Sequence, residues 1–292
     1  MRGDDRNNVA VRIAGLVHGF DDGTRLRVGD ADITVHAGET VAIAGPNGCG
    51  KSTLLSHVLG LAMPTAGTVT TLGVPAHTLD AQARKRIVGV MQNPDDQLFG
   101  PTVRDDVSYG PRNWGFAVDE VDAMVDRSIA RFGLSADADR IAHALSTGER
   151  RRVALAAAFV AWSTASPEGV GLVVLDEPFE GLDRIGAAAL RDVLAEIRRC
   201  GRTATIFTTH DLEEVAALAD RLIVMGPDGS VLASGVPLIV LSDRFVIQTA
   251  NLRQPTMFRL RDALAAVGVE APTTLNVETM ANALRIVVTA QG

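Results

Sequence analysis

Cysteine, lysine and long apolar runs are scarce in this chain of 292 residues. Two cysteines, Cys49 and Cys200, are too few for a disulfide-stapled scaffold and indicate a reducing compartment. The longest apolar runs, 153–162 and 236–241, are much shorter than the roughly 20 residues of a membrane-spanning helix. Residues 1–5 lack the apolar core of a signal peptide. We therefore expect no direct membrane span, and any membrane role to come through partner proteins.

Lysine is rare even among the basic residues. Of 28 basic side chains only Lys51 and Lys85 are lysines, which suggests that a lysine at these positions has a functional reason. The net charge of −7 argues against broad binding to nucleic acid, which needs a basic face. A content of 47% hydrophobic and 22% charged residues is that of a folded globular protein and excludes disordered, collagenous and coiled-coil classes.

Short apolar, β-branched runs alternate with amphipathic stretches, a pattern typical of an α/β fold with a mainly parallel sheet. The predicted strands are Thr40–Ala44, Ile87–Met91, Leu172–Leu175, Thr203–Thr208 and Arg221–Met225. The predicted helices are Ser52–Leu59, Val121–Phe132, Gly148–Trp162, Ala187–Arg199 and Leu212–Ala219. Residues 95–162 therefore read as a helical insertion. After a predicted turn at Gly226–Gly229 comes a small appended tail with a helix over Thr256–Val267.

A glycine-rich segment, Gly45–Ser52, lies between a predicted strand and a predicted helix, the context that the phosphate-binding G-x-x-x-x-G-K-[ST] loop requires. Glycines let backbone N–H groups curl around an anion, and a helix N-terminus adds partial positive charge. Lys51 is predicted to reach the β and γ phosphates as a compact, mobile charge, and Ser52 to offer its hydroxyl to Mg²⁺. Cys49 is interpreted as a small filler rather than a nucleophile.

Two carboxylates, Asp176 and Glu177, directly follow the apolar strand Leu172–Leu175. Alone, such a pair could be an ordinary polar strand end. After a phosphate loop it predicts a nucleotide site at the carboxyl edge of the sheet, where Asp176 holds Mg²⁺ and Glu177 acts as general base toward water.

The segment Leu145–Arg152, which reads Leu-Ser-Thr-Gly-Glu-Arg-Arg-Arg, resembles the signature motif of ATP-binding cassette (ABC) ATPases and precedes the Asp-Glu strand as in that family. The resemblance covers about residues 11–235. It implies a P-loop NTPase (RecA-like) core with a mainly parallel sheet, an N-terminal antiparallel β subdomain, a helical subdomain at about 95–162 and a C-terminal extension. The implied ATP-binding domain is 9–235, and the extension is 236–292.

Other residues match the family in the expected order. Gln92 resembles the Q-loop glutamine, and Glu180–Asp183 resembles the D-loop. His210 resembles the switch histidine, and the alternative for His210 is that it caps the following helix. Phe20 matches the aromatic residue that stacks on adenine, with simple packing as the alternative. The resemblance assigns catalysis to Glu177, His210, Gln92 and Lys51 and Mg²⁺ to Ser52, Gln92 and Asp176. ATP contacts are expected from Phe20, Gly45, Pro46, Asn47, Gly48, Cys49, Gly50, Lys51, Ser52 and Thr53. Residues expected to act in trans across a dimer are Ser146, Thr147, Gly148 and Glu149, with Asp183 in the D-loop.

A narrower match, over Val90–Phe99, Thr102–Val107 and Tyr109–Asn113, resembles the ATPase subunit of energy-coupling factor (ECF) importers, which take up vitamins, Co²⁺ or Ni²⁺. The tail segment Leu252–Pro255 resembles that group's C-terminal extension, which suggests dimerisation. The resemblance implies a peripheral ATPase on the cytoplasmic face of the membrane that forms a homodimer or a heterodimer with a second ATPase subunit. Its partners would be a transmembrane coupling subunit, gripped around residues 92–109, and a substrate-binding membrane subunit.

Two departures from the family pattern bear on activity. Thr147 stands where the family usually has glycine, and Glu149 replaces the usual glutamine. A β-branched residue and a negative charge near a nucleotide predict a slower composite site. The alternatives that stay open are another ABC importer, a soluble non-transport ABC ATPase and a regulator that no longer hydrolyses ATP.

Overall fold

The computed structural model describes residues 8–20, 25–28, 32–162, 171–273 and 278–282. Its strands are β1 (Val9–Gly19), β2 (Arg25–Arg27), β3 (Ile33–His36), β4 (Thr40–Ala44), β5 (Ala66–Thr71), β6 (Val74–Pro75), β7 (Ile87–Val90), β8 (Leu172–Leu175), β9 (Ala204–Thr209), β10 (Arg221–Met225) and β11 (Val231–Gly235). Its α-helices are α1 (Lys51–Val58), α2 (Ala81–Arg84), α3 (Val103–Trp114), α4 (Val118–Arg131), α5 (Thr147–Phe159), α6 (Arg184–Cys200), α7 (Val215–Leu218), α8 (Pro237–Ser242), α9 (Arg244–Thr249) and α10 (Thr256–Ala266). None of these described helices combines the length and the apolar character needed to cross a bilayer.

The larger sheet has six strands in the order β11-β10-β4-β9-β8-β7. All pairs except β10–β11 are parallel, and β11 returns antiparallel to β10 after the predicted turn. The α/β fold with a mainly parallel sheet is thereby confirmed. Because the parallel strands end at one edge, the segments after β4, β7, β8 and β9 meet there.

Strand β4 lies at the centre of this sheet, paired with β10 on one side and β9 on the other. All five of its residues are buried. Ala42 and Ala44 pack into a core formed with the helices α3–α6, whereas Val41 and Ile43 pack into a second core formed with α1 and the N-terminal strands. The two-residue period of a strand therefore distributes β4 over two cores.

A second, antiparallel sheet is built from β1, β2, β3, β5 and β6. β1 pairs with β2, β3 and β5 and is its longest strand. The sheet packs onto one face of the parallel sheet through buried residues of both. The N-terminal antiparallel β subdomain is confirmed.

Helix α3 was not among the predicted helices, and it contains Gly110 and Pro111, two residues that disfavour a helix. In the structure Thr102 caps its start by accepting a hydrogen bond from the Asp105 N–H at 3.2 Å, and Gly115 ends it in the left-handed region. Pro111 lies inside the helix and is buried. A strong cap and a packed apolar side thus outweigh the missing N–H of Pro111.

The predicted helix Leu212–Ala219 was too long, since only Val215–Leu218 is α-helical. The Asp211 carboxylate accepts from the Glu213 N–H at 3.0 Å, a local turn that competes with a helix start.

In the tail, the described residues form further helices besides the one that was predicted. α10 agrees with the prediction, and the short helices α8 and α9 precede it. Val240, Leu241, Ile247 and Phe258 are buried in the same core as the parallel sheet. These residues therefore pack the tail onto the core of the parallel sheet.

Candidate nucleotide site

The glycine-rich loop runs from the carboxyl end of β4 into α1. Gly48 and Gly50 have φ angles of 81° and 100°, a region that costs other residues roughly 1–2 kcal/mol. A Cβ atom on Gly50 would lie only 2.4 Å from Cδ1 of Leu26. Glycine is therefore needed at Gly50, and the unpaired amides at the start of α1 make this turn suited to an anion.

Lys51 and Glu177, which the sequence predicted to share a site, lie side by side. The Lys51 Nζ donates to the carbonyls of Gly45 at 2.9 Å and Pro46 at 3.2 Å, and it lies 3.4 Å from Glu177 Oε1. Both side chains are only 6% exposed. Buried charges require a partner of opposite charge, and Lys51 and Glu177 are such partners for each other.

Glu177 is held by the neighbouring strand end. Its φ of 46° is unusual for a residue other than glycine, and its N–H donates to Thr208 Oγ1 at 2.9 Å. Glu177 Oε2 accepts from the His210 N–H at 3.2 Å and lies 3.0 Å from His210 Nδ1. Since an ionised carboxylate only accepts hydrogen bonds, this contact assigns the proton to Nδ1 of His210. A strained backbone thus aims the acid at the predicted switch histidine.

Asp176 is fully buried, and the two oxygens of its carboxylate differ. Thr208 Oγ1 donates to Oδ1, whereas Oδ2 has no hydrogen-bond partner. Ser52 and Gln92 contribute hydroxyl and amide oxygens to the neighbouring cavity, and the Gln92 amide donates to Glu180 Oε2 at 3.3 Å. A bare carboxylate oxygen together with neutral oxygen donors is a set that suits Mg²⁺, which takes few protein carboxylates and several other oxygens.

A cavity of about 640 Å³ opens beside the loop, within the size range of small-molecule sites. Its described lining residues are Phe20, Leu26, Asn47, Gly48, Cys49, Gly50, Lys51, Ser52, Thr53, Gln92, Glu177, Pro227 and Asp228. Most were predicted from the sequence. Leu26, Pro227 and Asp228 were not, although the turn that holds the last two was recognised. Asp228 accepts from the Ser230 hydroxyl, which lowers the pKa of its carboxyl.

Comparison with known proteins decides the family. The profile of the ABC transporter family matches residues 28–180. The Energy-coupling factor transporter ATP-binding protein EcfA of Methanothermobacter thermautotrophicus is 39% identical over 271 residues, which cover 92% of this chain and 84% of that protein. The chain belongs to the ABC transporter family. It therefore has that family's ATP-binding and ATPase activity coupled to transport.

Two further relatives support the same family. The Cobalt import ATP-binding protein CbiO of Rhodobacter capsulatus is 41% identical over 249 residues, covering 84% of this chain and 85% of that protein. The solved structure of cbiO1 from Clostridium perfringens, described as part of the ABC transporter complex cbiONQ, superposes with a TM-score of 0.67 at 32% identity. That match covers 87% of this chain and 99% of the solved chain.

In this ABC ATPase, Phe20, the residue predicted to stack on adenine, is 41% exposed and packs against the imidazole ring of His18. Its ring lies edge-on to His18, with centroids 4.6 Å apart, and His18 in turn contacts His57 of α1. The His57 Nδ1 lies 3.1 Å from the Ala62 carbonyl and therefore donates, so Nε2 accepts from His18 Nδ1 at 3.2 Å. Burial lowers the pKa of His57. Phe20 is thus supported through two imidazoles by the helix that follows the phosphate loop.

The signature residues Ser146–Glu149 do not line the cavity of their own chain. They form the start of α5, where the Ser146 hydroxyl accepts from the Glu149 N–H and the Glu149 carboxylate accepts from the Ser146 N–H at 2.8 Å. This is a reciprocal capping box. The bonds from Ser146 lower the pKa of Glu149. Thr147 is the first helical residue and is exposed.

The D-loop contacts the signature region. Asp183 caps α6 by accepting from the Gly186 N–H at 2.8 Å, and its other oxygen lies 3.6 Å from Arg152. A Cβ atom on Gly148 would lie 3.0 Å from the Gly181 carbonyl. Like the signature, Asp183 is not part of the cavity lining.

Cys49 is 2% exposed inside the loop, and burial raises the pKa of its thiol. A Cβ atom on Gly45 would lie 2.8 Å from its sulfur. Cys49 therefore packs under the loop as a small apolar group, which agrees with its interpretation as a filler.

Arg151 is a central residue of the site that no sequence pattern singled out. It lies on α5, is 4% exposed, and donates to the main-chain carbonyls of Gln92, Asp176 and Glu177. Burial lowers the pKa of its guanidinium. A run of three arginines gave no signal that distinguished the middle one.

Proposed function

We propose that the chain is the ATP-hydrolysing subunit of an ECF-type importer for a vitamin, Co²⁺ or Ni²⁺. The observation that carries the chemistry is the buried pair of Lys51 and Glu177 beside a cavity built on the glycine-rich loop. The importer class is supported by the relatives, which are named as an energy-coupling factor ATP-binding protein and a cobalt import ATP-binding protein.

The residues of the cavity have separate roles in ATP hydrolysis. We assign the phosphates of ATP to the loop 45–53 and the adenine to Phe20. Water attacks the γ-phosphorus, the bond to the β–γ bridging oxygen breaks, and the Glu177 carboxylate takes the proton of the water. Lys51 stabilises the charge that develops on the phosphate oxygens. His210 orients Glu177 through the hydrogen bond from its Nδ1.

Magnesium is part of this proposal. Ser52, Gln92 and Asp176 would hold Mg²⁺, which neutralises charge on the β and γ phosphates when bound. The unpaired Oδ2 of Asp176 supports this assignment, since a buried carboxylate oxygen without any partner is costly.

We further propose that Ser146–Glu149 of one subunit cap the ATP of another, with Asp183 at the same interface. Support comes from their position, since they are exposed or half-buried and lie outside the cavity of their own chain. A homodimer and a heterodimer with a second ATPase subunit both satisfy this arrangement. The proposed domain limits are 9–235 for the ATPase, with a helical subdomain at about 95–162, and 236–292 for an extension that contributes to dimerisation.

A partner surface lies next to the Q-loop. A groove of about 200 Å³ is lined by apolar residues that include Leu61, Ile87 and Met91. Phe99 and Tyr109 are 60% and 53% exposed, and their rings meet edge-on with centroids 4.4 Å apart. We assign this surface to a transmembrane coupling subunit, which with a substrate-binding membrane subunit would hold the chain at the cytoplasmic face of the membrane. Co-purification from gently solubilised membranes tests this, because recovery of ribosomal or other soluble partners alone contradicts it.

Turnover tests the enzymatic part. The full-length chain is expected to hydrolyse ATP in a Mg²⁺-dependent manner, and Glu177→Gln to lose at least 100-fold in kcat while it still binds ATP, because only the proton acceptor is lost. Glu196→Gln is the matched control, since Glu196 pairs with Arg131 on the surface of α6. Undiminished turnover in Glu177→Gln would contradict the assignment, and absence of turnover in the wild type would favour a non-hydrolysing regulator.

A further inference from the structure

A single guanidinium joins three separate segments next to the nucleotide cavity. Arg151 Nη1 donates to the Gln92 carbonyl, and Nη2 donates to the Glu177 carbonyl and, at 2.9 Å, to the Asp176 carbonyl. Gln92 follows β7, the two acidic residues follow β8, and Arg151 itself belongs to α5. All three acceptors are main-chain atoms. The contacts therefore fix the backbone of Gln92, Asp176 and Glu177 without occupying their side chains.

The neighbouring arginines have carboxylate partners. Arg150 Nε lies 2.6 Å from Asp95 and Arg152 lies 3.6 Å from Asp183, whereas no carboxylate in the described part of the chain forms an ion pair with Arg151. Its guanidinium donates to three carbonyls, and the nearby carboxylates of Glu180, Asp176 and Glu177 favour its charge, although burial opposes a charged group. The planar, five-donor fork of arginine is the side chain that can serve several carbonyls at once.

The three carbonyls belong to residues whose side chains face the chemistry. Gln92 and Glu177 line the cavity, and Asp176 carries the unpaired carboxylate oxygen. We infer that Arg151 is a positioning residue, which holds the backbone under Gln92 and Glu177 and ties both to the helix that begins at the signature. The inference rests on the proposed function, because its effect is on hydrolysis.

Replacement of Arg151 by methionine tests the inference, because methionine keeps an apolar stem but has no donors. In Arg151→Met we expect kcat to fall at least tenfold and the KM for ATP to change less than threefold. Arg151 makes no described hydrogen bond to residues 45–53, so the loop that we assign to the phosphates is left in place. Arg151→Lys should recover part of kcat, since one ammonium cannot span all three carbonyls.

The matched control is Arg221→Met, at the opposite edge of the sheet. Arg221 begins β10 and donates to Glu39 Oε1 at 2.6 Å and to the Thr34 carbonyl. Its loss should lower the melting temperature without a change in kcat. This separates a positioning effect from general loss of stability.

Wild-type kcat in Arg151→Met, or an equal loss of kcat in Arg221→Met, overturns the inference. If Arg151→Met does not fold, Arg151→Lys is measured instead. A kcat at least threefold below that of the wild type with an unchanged KM supports the inference, and a wild-type kcat overturns it. Absence of turnover in the wild type would instead be a failure of the proposed function, so the two failures are distinguishable.

Discussion

Asp106, at the residue scale, is a buried carboxyl group that shapes the loop before α3. Its Oδ1 accepts from the N–H groups of Phe99 at 2.9 Å and Gly100 at 2.7 Å, and its Oδ2 has no hydrogen bond. Burial raises the pKa of this carboxyl above 3.8. The loop that carries the exposed Phe99 is therefore fixed by a group that the fold holds more easily in its protonated form.

The raised pKa of Asp106 predicts the sign of a pH effect. The native state binds this proton more tightly than the unfolded state, so the stability gained from it falls as pH rises from about 3.8 through the native pKa. The melting temperature of the wild type minus that of Asp106→Asn should therefore decrease from about pH 4 upward and then level off. Thermal unfolding of both proteins across this range measures the difference.

Asp192→Asn, the same change on the exposed side of α6, serves as the control for general effects of charge. A difference between wild type and Asp106→Asn that stays constant or grows with pH would show that burial does not dominate at Asp106.

The sequence identified Lys51, Asp176 and Glu177 because each stands in a fixed place after a strand. Arg151 and Asp228 carried no comparable pattern. Arg151 acts through carbonyls of residues 25, 26 and 59 positions away, and such contacts follow only from the folded chain.

At the scale of elements, α5 explains the departure at Glu149. Its carboxylate accepts from both the N–H and the hydroxyl of Ser146, at 2.8 and 2.6 Å. A negative charge in the first turn also complements the helix dipole. The charge that the sequence placed near a nucleotide thus serves the start of the signature helix, and the slower composite site remains a prediction.

The turn into α1 predicts different costs for two glycine substitutions. Gly48→Ala meets no atom within 4 Å and should lose roughly 5- to 30-fold in ATP affinity, from backbone strain of roughly 1–2 kcal/mol. Gly50→Ala adds a clash with Leu26 and should lose more. Equilibrium binding of ATP measures both.

Leu26→Ala in the Gly50→Ala background removes the clash and should restore part of the affinity, with Leu26→Ala alone as the control. Equal losses in the two glycine variants, or no recovery in the double variant, would leave strain as the only cause.

The strands of the parallel sheet were predictable to within about one residue because buried β-branched runs leave little ambiguity. The helices were less predictable from the sequence. Gly110-Pro111 concealed α3, and α8 and α9 have six residues each, too few for a helical period to stand out.

For the whole molecule, the tail is the feature that changes how dimerisation must be tested. Deletion after Gly235 would remove Val240, Leu241 and Phe258 from the core and so disturb the fold. Ile239 and Phe245, which are 71% and 77% exposed, are tail residues that can be changed without that effect.

The double variant Ile239→Glu/Phe245→Glu should weaken dimerisation of the full-length chain while its melting temperature stays near that of the wild type, as surface substitutions usually change stability by about 0.5 kcal/mol or less. Sedimentation with ATP in a Glu177→Gln background measures the dimer. Val118→Glu, on an exposed residue of α4, is the control. A dimer equally strong in the double variant would contradict a role of this surface.

The position of β4 between two cores has a consequence for how the protein opens. β4 is hydrogen-bonded along both edges, so separation of the helices on one face leaves its backbone paired. Its amide hydrogens should exchange with solvent only when the whole domain unfolds, whereas those of peripheral helices exchange through smaller openings. The glycine-rich loop, which directly follows β4, is then anchored in the most stable part of the domain. Nucleotide-driven rearrangement can thus proceed at a fraction of the global free energy of unfolding.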